Sequence, residues 1–251
     1  MDYQKLLEKK EYMRKNFHLI PKEALENYEA AFAVEYTHDS TTIEGNTLSL
    51  VEVGIIIGDK MSVAGKDMRE IYEVVNHNKA YEYIKQVISE GKPLDESIVK
   101  DVHAILTENI FWGGVYRDTP AYIKGAVHVP PPPQTMYMQV KAFYQDLQKA
   151  VDNYVSLAAW THAEFVKIHP FIDGNGRVSR MIMNYQLMAG GFLPISIPNK
   201  RRKEYFDALD KYAAEGDLAA FEDIAAELEE KRLDWYIEAI ECVKNNGGAD
   251  I

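Results

Sequence analysis

The run His169-Pro170-Phe171-Ile172-Asp173-Gly174-Asn175-Gly176-Arg177-Val178-Ser179-Arg180 sets a titratable base, a hard metal ligand, a glycine-rich turn and two guanidiniums side by side. Hydrophobic periodicity predicts a helix ending near Ile168 and another starting near Asn175. Gly174 and Gly176 therefore fall where the bare N–H groups of a helix N-terminus can cradle an anion. Arg177 and Arg180 stand on neighbouring points of one helical face, where planar forks can grip phosphate oxygens bidentately. Asp173, just outside the turn, is a carboxylate beside phosphates, a position that most often brings Mg²⁺ with several of its waters retained. His169, with an ordinary pKa of about 6.5, is then the general base for an incoming hydroxyl.

Taken singly, these residues are unremarkable: Gly-Asn-Gly is a turn, His169 a capping residue, the arginines surface charge. Five chemically convergent residues in one short run argue for a phosphate site with a base attached.

The elements that must hold this loop are helical. Apolar residues recur at helical spacing almost throughout, with Gly and Pro between the stretches, which makes the chain all-α. Helices are expected near residues 2–15, 22–44, 50–58, 66–90, 95–110, 134–152, 156–168, 175–190, 200–214 and 218–245. Ser49-Leu50-Val51-Glu52 has the form of a capping box, and Gly45 and Gly91 are helix stops. In the last helix Phe221, Ile224, Leu228 and Trp235 read as core, and Glu227, Glu229 and Glu230 as a solvated face.

Residues 115–133 break the pattern. They mix β-branched and aromatic residues around Gly125 and end in Pro130 to Pro133, which fits a short hairpin or a plain connector equally well. An exposed two-stranded edge would offer unpaired N–H and C=O groups.

A second constellation lies at the end of the helix from Lys22. Ser40 and Glu44 are one turn apart on one face. Glu44 sits at the C-terminal end, where the macrodipole disfavours an anion, so its carboxylate wants a cationic partner.

Composition sets the bounds. The chain has 251 residues, 47% hydrophobic and 27% charged, which suits one globular domain with ample core. A formal net charge of -11 argues against a general nucleic-acid binder. The one basic cluster, Asn199-Lys200-Arg201-Arg202-Lys203, reads as a solvated helix start close enough in sequence to the phosphate site to assist phosphate binding there. No window is apolar enough for a membrane span and the N-terminus lacks a signal-peptide pattern, so a cytoplasmic protein with no membrane partner is expected. The single Cys242 reads as a packing residue within a helix.

The run from His169 resembles the signature of the Fic (filamentation induced by cyclic AMP) family, His-Pro-Phe-x-(Asp/Glu)-Gly-Asn-Gly-Arg-x-x-Arg, matched at every fixed position. The resemblance implies a Fic-type helical bundle with a short β-hairpin flap over the active site, spread over one domain. Residues 1–48 would carry an inhibitory helix, 49–215 the Fic core and 216–251 a C-terminal helix. It further implies transfer of AMP from ATP to a hydroxyl of a protein substrate docked on the flap, and many relatives self-associate. His169 would be the base and Asp173 the Mg²⁺ ligand. Gly174, Asn175, Gly176, Arg177 and Arg180 would hold phosphates, and Gly125, Ala126, Val127 and His128 would cover the nucleotide. Tyr205 and Phe206 would lie near the adenosine, although ordinary packing explains them nearly as well. An asparagine that relatives place near the adenine has no counterpart here, Ala213 being nearest.

Ser40-Thr41-Thr42-Ile43-Glu44-Gly45 resembles the family's inhibitory motif, (Ser/Thr)-x-x-x-Glu-(Gly/Asn), whose glutamate pairs with the second signature arginine. That arginine is Arg180, so Glu44 would displace the γ-phosphate and silence the enzyme. Two other enzymatic readings stand beside this one: another nucleotide or phospho-compound as donor, and removal of AMP with Glu44 positioning water. A regulatory module that binds ATP or a peptide without turnover is the non-enzymatic one.

Overall fold

The computed structural model describes residues 2–123, 128–149 and 151–247. Their α-helices are α1 (Tyr3–Asn16), α2 (Lys22–Ile43), α3 (Leu50–Ile57), α4 (Met68–Ser89), α5 (Glu96–Leu106), α6 (Pro133–Asp146), α7 (Tyr154–Ile168), α8 (Asn175–Ala189), α9 (Arg202–Glu215) and α10 (Ala219–Gly247). Short 3-10 turns occupy Phe17–Leu19 and Asn199–Arg201. Among the described residues there is no strand, and no helix is long and apolar enough to cross a membrane.

The helix boundaries follow local chemistry. The capping box at Ser49 and Glu52 forms in full. Asp95 and Asn153 accept from the first free N–H groups of α5 and α7. Pro133 takes the first position of α6, where a missing N–H costs nothing. Helix α5 stops at Leu106, short of the expected 110: the Thr107 hydroxyl donates back to the His103 carbonyl and the chain turns away.

Two large apolar clusters share the antiparallel pair α7 and α8. On one side α1, α9 and α10 close over Val155, Leu187, Tyr205 and Phe221. On the other α2, α4, α5 and α6 close over Phe165, Phe171, Met181 and Tyr185. Helix α8 is thus buried along most of its length, polar residues included. Asn184 is tolerated there because it exchanges two hydrogen bonds of 2.9 Å with the backbone of Ile195.

Two expectations need correction, and a third is not shown. The acidic run of α10 is not one solvated face. Glu230 pairs with Lys5 and Lys9, but Glu229 is fully buried and accepts from the Leu193 N–H. Burial pushes its carboxyl up to about 8. Cys242 is exposed on α10. The expected hairpin is not shown: residues 115–123 and 128–132 carry no strand pairing, and Gly125, Ala126 and Val127 lie outside the described residues.

Candidate active site

The loop between α7 and α8 is rigid by construction. Helix α7 ends because His169 turns left-handed (φ 53°, ψ 58°) while its N–H still reaches the Phe165 carbonyl. Gly174, at φ 79°, starts α8 without any side-chain cap, so the first N–H groups of the helix stay available to an anion. The Asn175 side chain turns back and exchanges two 2.9 Å hydrogen bonds with the backbone of Phe171. It fixes the loop and leaves recognition to the backbone.

Two residues that sequence reasoning missed brace this loop. His103 stacks on Phe171 with ring centroids 3.7 Å apart. Its Nδ1 accepts from the Gly114 N–H, so the proton sits on Nε2, which donates to the Asp173 carbonyl at 3.0 Å. Arg117, almost wholly buried, donates to the carbonyls of His169, Thr119 and Pro131 at 2.8, 2.8 and 2.6 Å. It thereby ties both ends of the connector to the loop between α7 and α8. Neither residue carries a motif; each lies in a segment whose pattern reports only packing.

His169 Nδ1 lies 3.3 Å from the Val166 carbonyl, which can only accept, so the proton is on Nδ1 and the Nε2 lone pair is available. Burial pushes the imidazole down to about 4, aided by the neighbouring Arg117 charge and opposed by the Val166 hydrogen bond. The ring is a neutral base at ordinary pH.

Arg180 is 1% exposed and serves α2. Its Nε donates to the Ser40 hydroxyl at 2.8 Å, and its Nη2 to the Ser40 carbonyl at 2.8 Å and to Glu44 Oε1 at 2.7 Å. Burial opposes its charge, yet Tyr205 and Glu44 outweigh that and raise its pKa. Arg202 secures the same helix end by donating to the Ile43 carbonyl at 3.0 Å. A Cβ placed on Gly176 would overlap Glu44 Oε1, so the glutamate carboxylate occupies the mouth of the anion cradle.

Arg177 is different. Its side chain is 3% exposed, and Nε and Nη1 have no hydrogen-bond partner. Glu73 approaches Nη1 only to 3.6 Å, beyond hydrogen-bond reach. Buried guanidinium N–H groups without an acceptor are the donors an incoming phosphate would satisfy.

Asp173 pairs with Arg69 at 2.8 Å and accepts from the Gly174 N–H at 2.6 Å. No group of three His, Cys, Asp or Glu gathers among the described residues. One half-exposed carboxylate at the cradle lip suits Mg²⁺, which takes one or two protein oxygens beside substrate phosphates. Arg69 would have to yield that carboxylate.

The remaining expected residues are spread out. His128 Nε2 contacts the Lys167 carbonyl at 2.9 Å, beside the end of α7. Tyr205 is buried beneath Arg180, its hydroxyl accepting from Arg180 Nη1 and contacting His162 Nε2. Phe206 is covered by Arg202, whose guanidinium lies 4.8 Å from the ring centroid. Of the basic cluster, Arg201 pairs with Glu204 and Glu227 and Lys203 with Asp207.

The Fic/DOC family model matches residues 93–187. The chain is 34% identical over 210 residues to the protein adenylyltransferase Fic of Drosophila grimshawi, covering 82% of this chain and 43% of that protein. The counterpart in Drosophila persimilis matches at 34% over the same share of this chain and 41% of its own. The chain therefore spans under half the length of these curated relatives. Among solved structures, Fic-1 (residues 134–508) of C. elegans is 28% identical with a TM-score of 0.80, covering 94% of this chain and 71% of that one. A Fic domain containing signaling protein of Bacteroides thetaiotaomicron shares the fold over 98% of both chains, with a TM-score of 0.80 and 23% identity.

Proposed function

The chain belongs to the Fic/DOC family, and from that premise we propose that it moves AMP from ATP to a hydroxyl side chain of a protein and is held silent by its own Glu44. The observation that carries the proposal is the Glu44 carboxylate against Gly176 and Arg180, an oxyanion seated where the phosphate tail of ATP would go. A cradle that accepts a carboxylate from its own chain has the donors and the space for a phosphate oxygen in its place.

The N-terminal N–H groups of α8, with Arg177 and a released Arg180, would bind the phosphates. Asp173 would hold Mg²⁺, whose charge offsets that of the phosphates when bound. His169 Nε2 takes the proton of the target hydroxyl as its oxygen bonds to the α-phosphorus and the bond to the β-phosphate oxygen breaks. Pyrophosphate leaves and the protein carries AMP. Positioning and charge neutralisation would supply most of the acceleration, because phosphoryl-type transfer asks little covalent chemistry of the enzyme. The connector closed by Arg117, with Tyr122 and Val129 exposed on it, would be the flap that presents the target segment. Residues 1–48 would then act as the regulatory segment of one domain whose core is residues 49–215.

The Glu44→Gly protein incubated with ATP labelled at the α or the γ position tests this reading. Label on protein from the α position alone is expected. Label from γ would point to phosphate transfer, and none from either to a binding module. Removal of AMP is the second reading, favoured by the electrostatic reach of Glu44 to His169. It requires release of AMP from a modified protein by the wild type and not by Glu44→Gly.

A further inference from the structure

The guanidinium of Arg180 is held from two elements. Ser40 and Glu44, at the end of α2, take its Nε and Nη2. Nη1 donates instead to the Tyr205 hydroxyl on α9, at 3.2 Å. That nitrogen lies 3.1 Å from where a Cβ on Gly176 would stand, so it borders the cradle that Glu44 fills.

Tyr205 is 1% exposed. Its ring packs against His162, Phe206 and Phe221, contacts that a phenylalanine would make equally well. Packing does not explain the hydroxyl. A buried hydroxyl is costly unless it finds partners, and this one finds two: Arg180 Nη1, and His162 Nε2 at 3.0 Å. His162, fully buried on α7, also meets the Ser179 hydroxyl at 3.1 Å, and Ser179 donates to the Gly176 carbonyl at 2.8 Å. A run of hydrogen bonds through α7 and α9 therefore joins the backbone of the cradle to the guanidinium beside it.

The two holds on Arg180 differ in chemistry. Glu44 is a carboxylate and competes with a phosphate for the same positive charge. Burial pushes the Tyr205 hydroxyl up to about 12, against the pull of the Arg180 charge, so it stays a neutral phenol. It accepts one N–H and leaves the charge to be matched by an anion. The Ser40 bonds depend on where the end of α2 lies, whereas Tyr205, His162 and Ser179 stand on α9, α7 and α8 and need nothing from α2.

On the premise that the cradle works as proposed above, we infer that Tyr205 is a positioning residue: once Glu44 is withdrawn, its hydroxyl, backed by His162, keeps Arg180 at the mouth of the cradle to receive the γ-phosphate of ATP.

The test compares Glu44→Gly with Glu44→Gly/Tyr205→Phe by calorimetric titration of ATP and, separately, of ADP in the presence of Mg²⁺, with thermal unfolding of both proteins alongside. The added change should weaken ATP about three- to tenfold and leave ADP affinity as it was, a selectivity that general loosening of the core would not produce. His162→Leu in the same background removes the backing of the hydroxyl and not the hydroxyl itself. It should shift the ATP-to-ADP preference the same way by about two- to threefold, and it decides the matter if the Tyr205 variant does not fold. Unchanged ATP affinity, or equal losses for ATP and ADP, would overturn the assignment and leave the proposed function standing. A Glu44→Gly parent that binds no ATP would sink the proposed function and this assignment with it.

Discussion

Arg180 Nη2 and Glu44 Oε1 lie 2.7 Å apart across the first turn of α8, and the carboxylate fills the space above Gly176. One guanidinium thus serves two masters in the proposed cycle, the nucleotide and the end of α2. A charge-assisted hydrogen bond of this kind is worth roughly 1.5–3 kcal/mol. Releasing it should raise ATP affinity by about ten- to a hundredfold, read by calorimetry on Glu44→Gly against wild type.

Ser40 is the other anchor, accepting from Arg180 through both its hydroxyl and its carbonyl. Ser40→Ala removes only the first. Transfer activity should rise by about two- to tenfold, less than for Glu44→Gly, in a protein-labelling assay. Equal activation by both changes would mean that the carboxylate is not what blocks the site.

Within the Glu44→Gly background, His169→Ala should bind ATP as well as its parent and lose about a hundred- to ten-thousandfold in transfer rate. Undiminished labelling would remove His169 from the role of base. The depressed pKa of about 4 also means that the unliganded imidazole stays neutral far below the usual histidine range, which an NMR titration of its ring protons measures.

Stability should peak near neutrality for a reason that can be dissected. His103 and His169 are pushed down to about 4 by burial, against about 6.5 unfolded. Between those values the unfolded chain binds more protons, so stability falls as pH drops from 6.5 toward 4. Glu229 acts in the opposite sense, since its folded carboxyl is raised to about 8 and the folded state holds the extra proton. Its contribution is present at low pH and lost as pH rises through 8. Melting temperatures of Glu229→Gln should therefore decline less than those of wild type between pH 6.5 and 8.5.

Much of this was legible in the residues themselves. The helical period located the helices, although α6 ends at Asp146, short of the expected 152, because they bury apolar stripes and several start on a recognisable cap such as Ser49, Asp95 or Asn153. The cradle was visible because Gly174, Gly176 and the two arginines are consecutive in sequence, so local geometry alone assembles them. The braces were not visible. Arg117 and His103 meet the loop across 52 and 70 residues of chain, and nothing in the neighbours of either announces a long-range partner. Glu229 was misread because burial of one carboxylate in an acidic run depends on which way α10 faces α1 and residue 193, a tertiary fact. The connector from 115 to 133 was ambiguous in sequence, and its described residues carry no pairing.

The most direct measurement of the central claim is ATP-dependent AMP labelling of protein, scored by mass spectrometry, for the wild type and Glu44→Gly side by side with Mg²⁺. The account predicts that the wild type is nearly silent and that Glu44→Gly leaves AMP adducts on itself or on a target. Adducts at equal level from both proteins, or from the wild type alone, would contradict it.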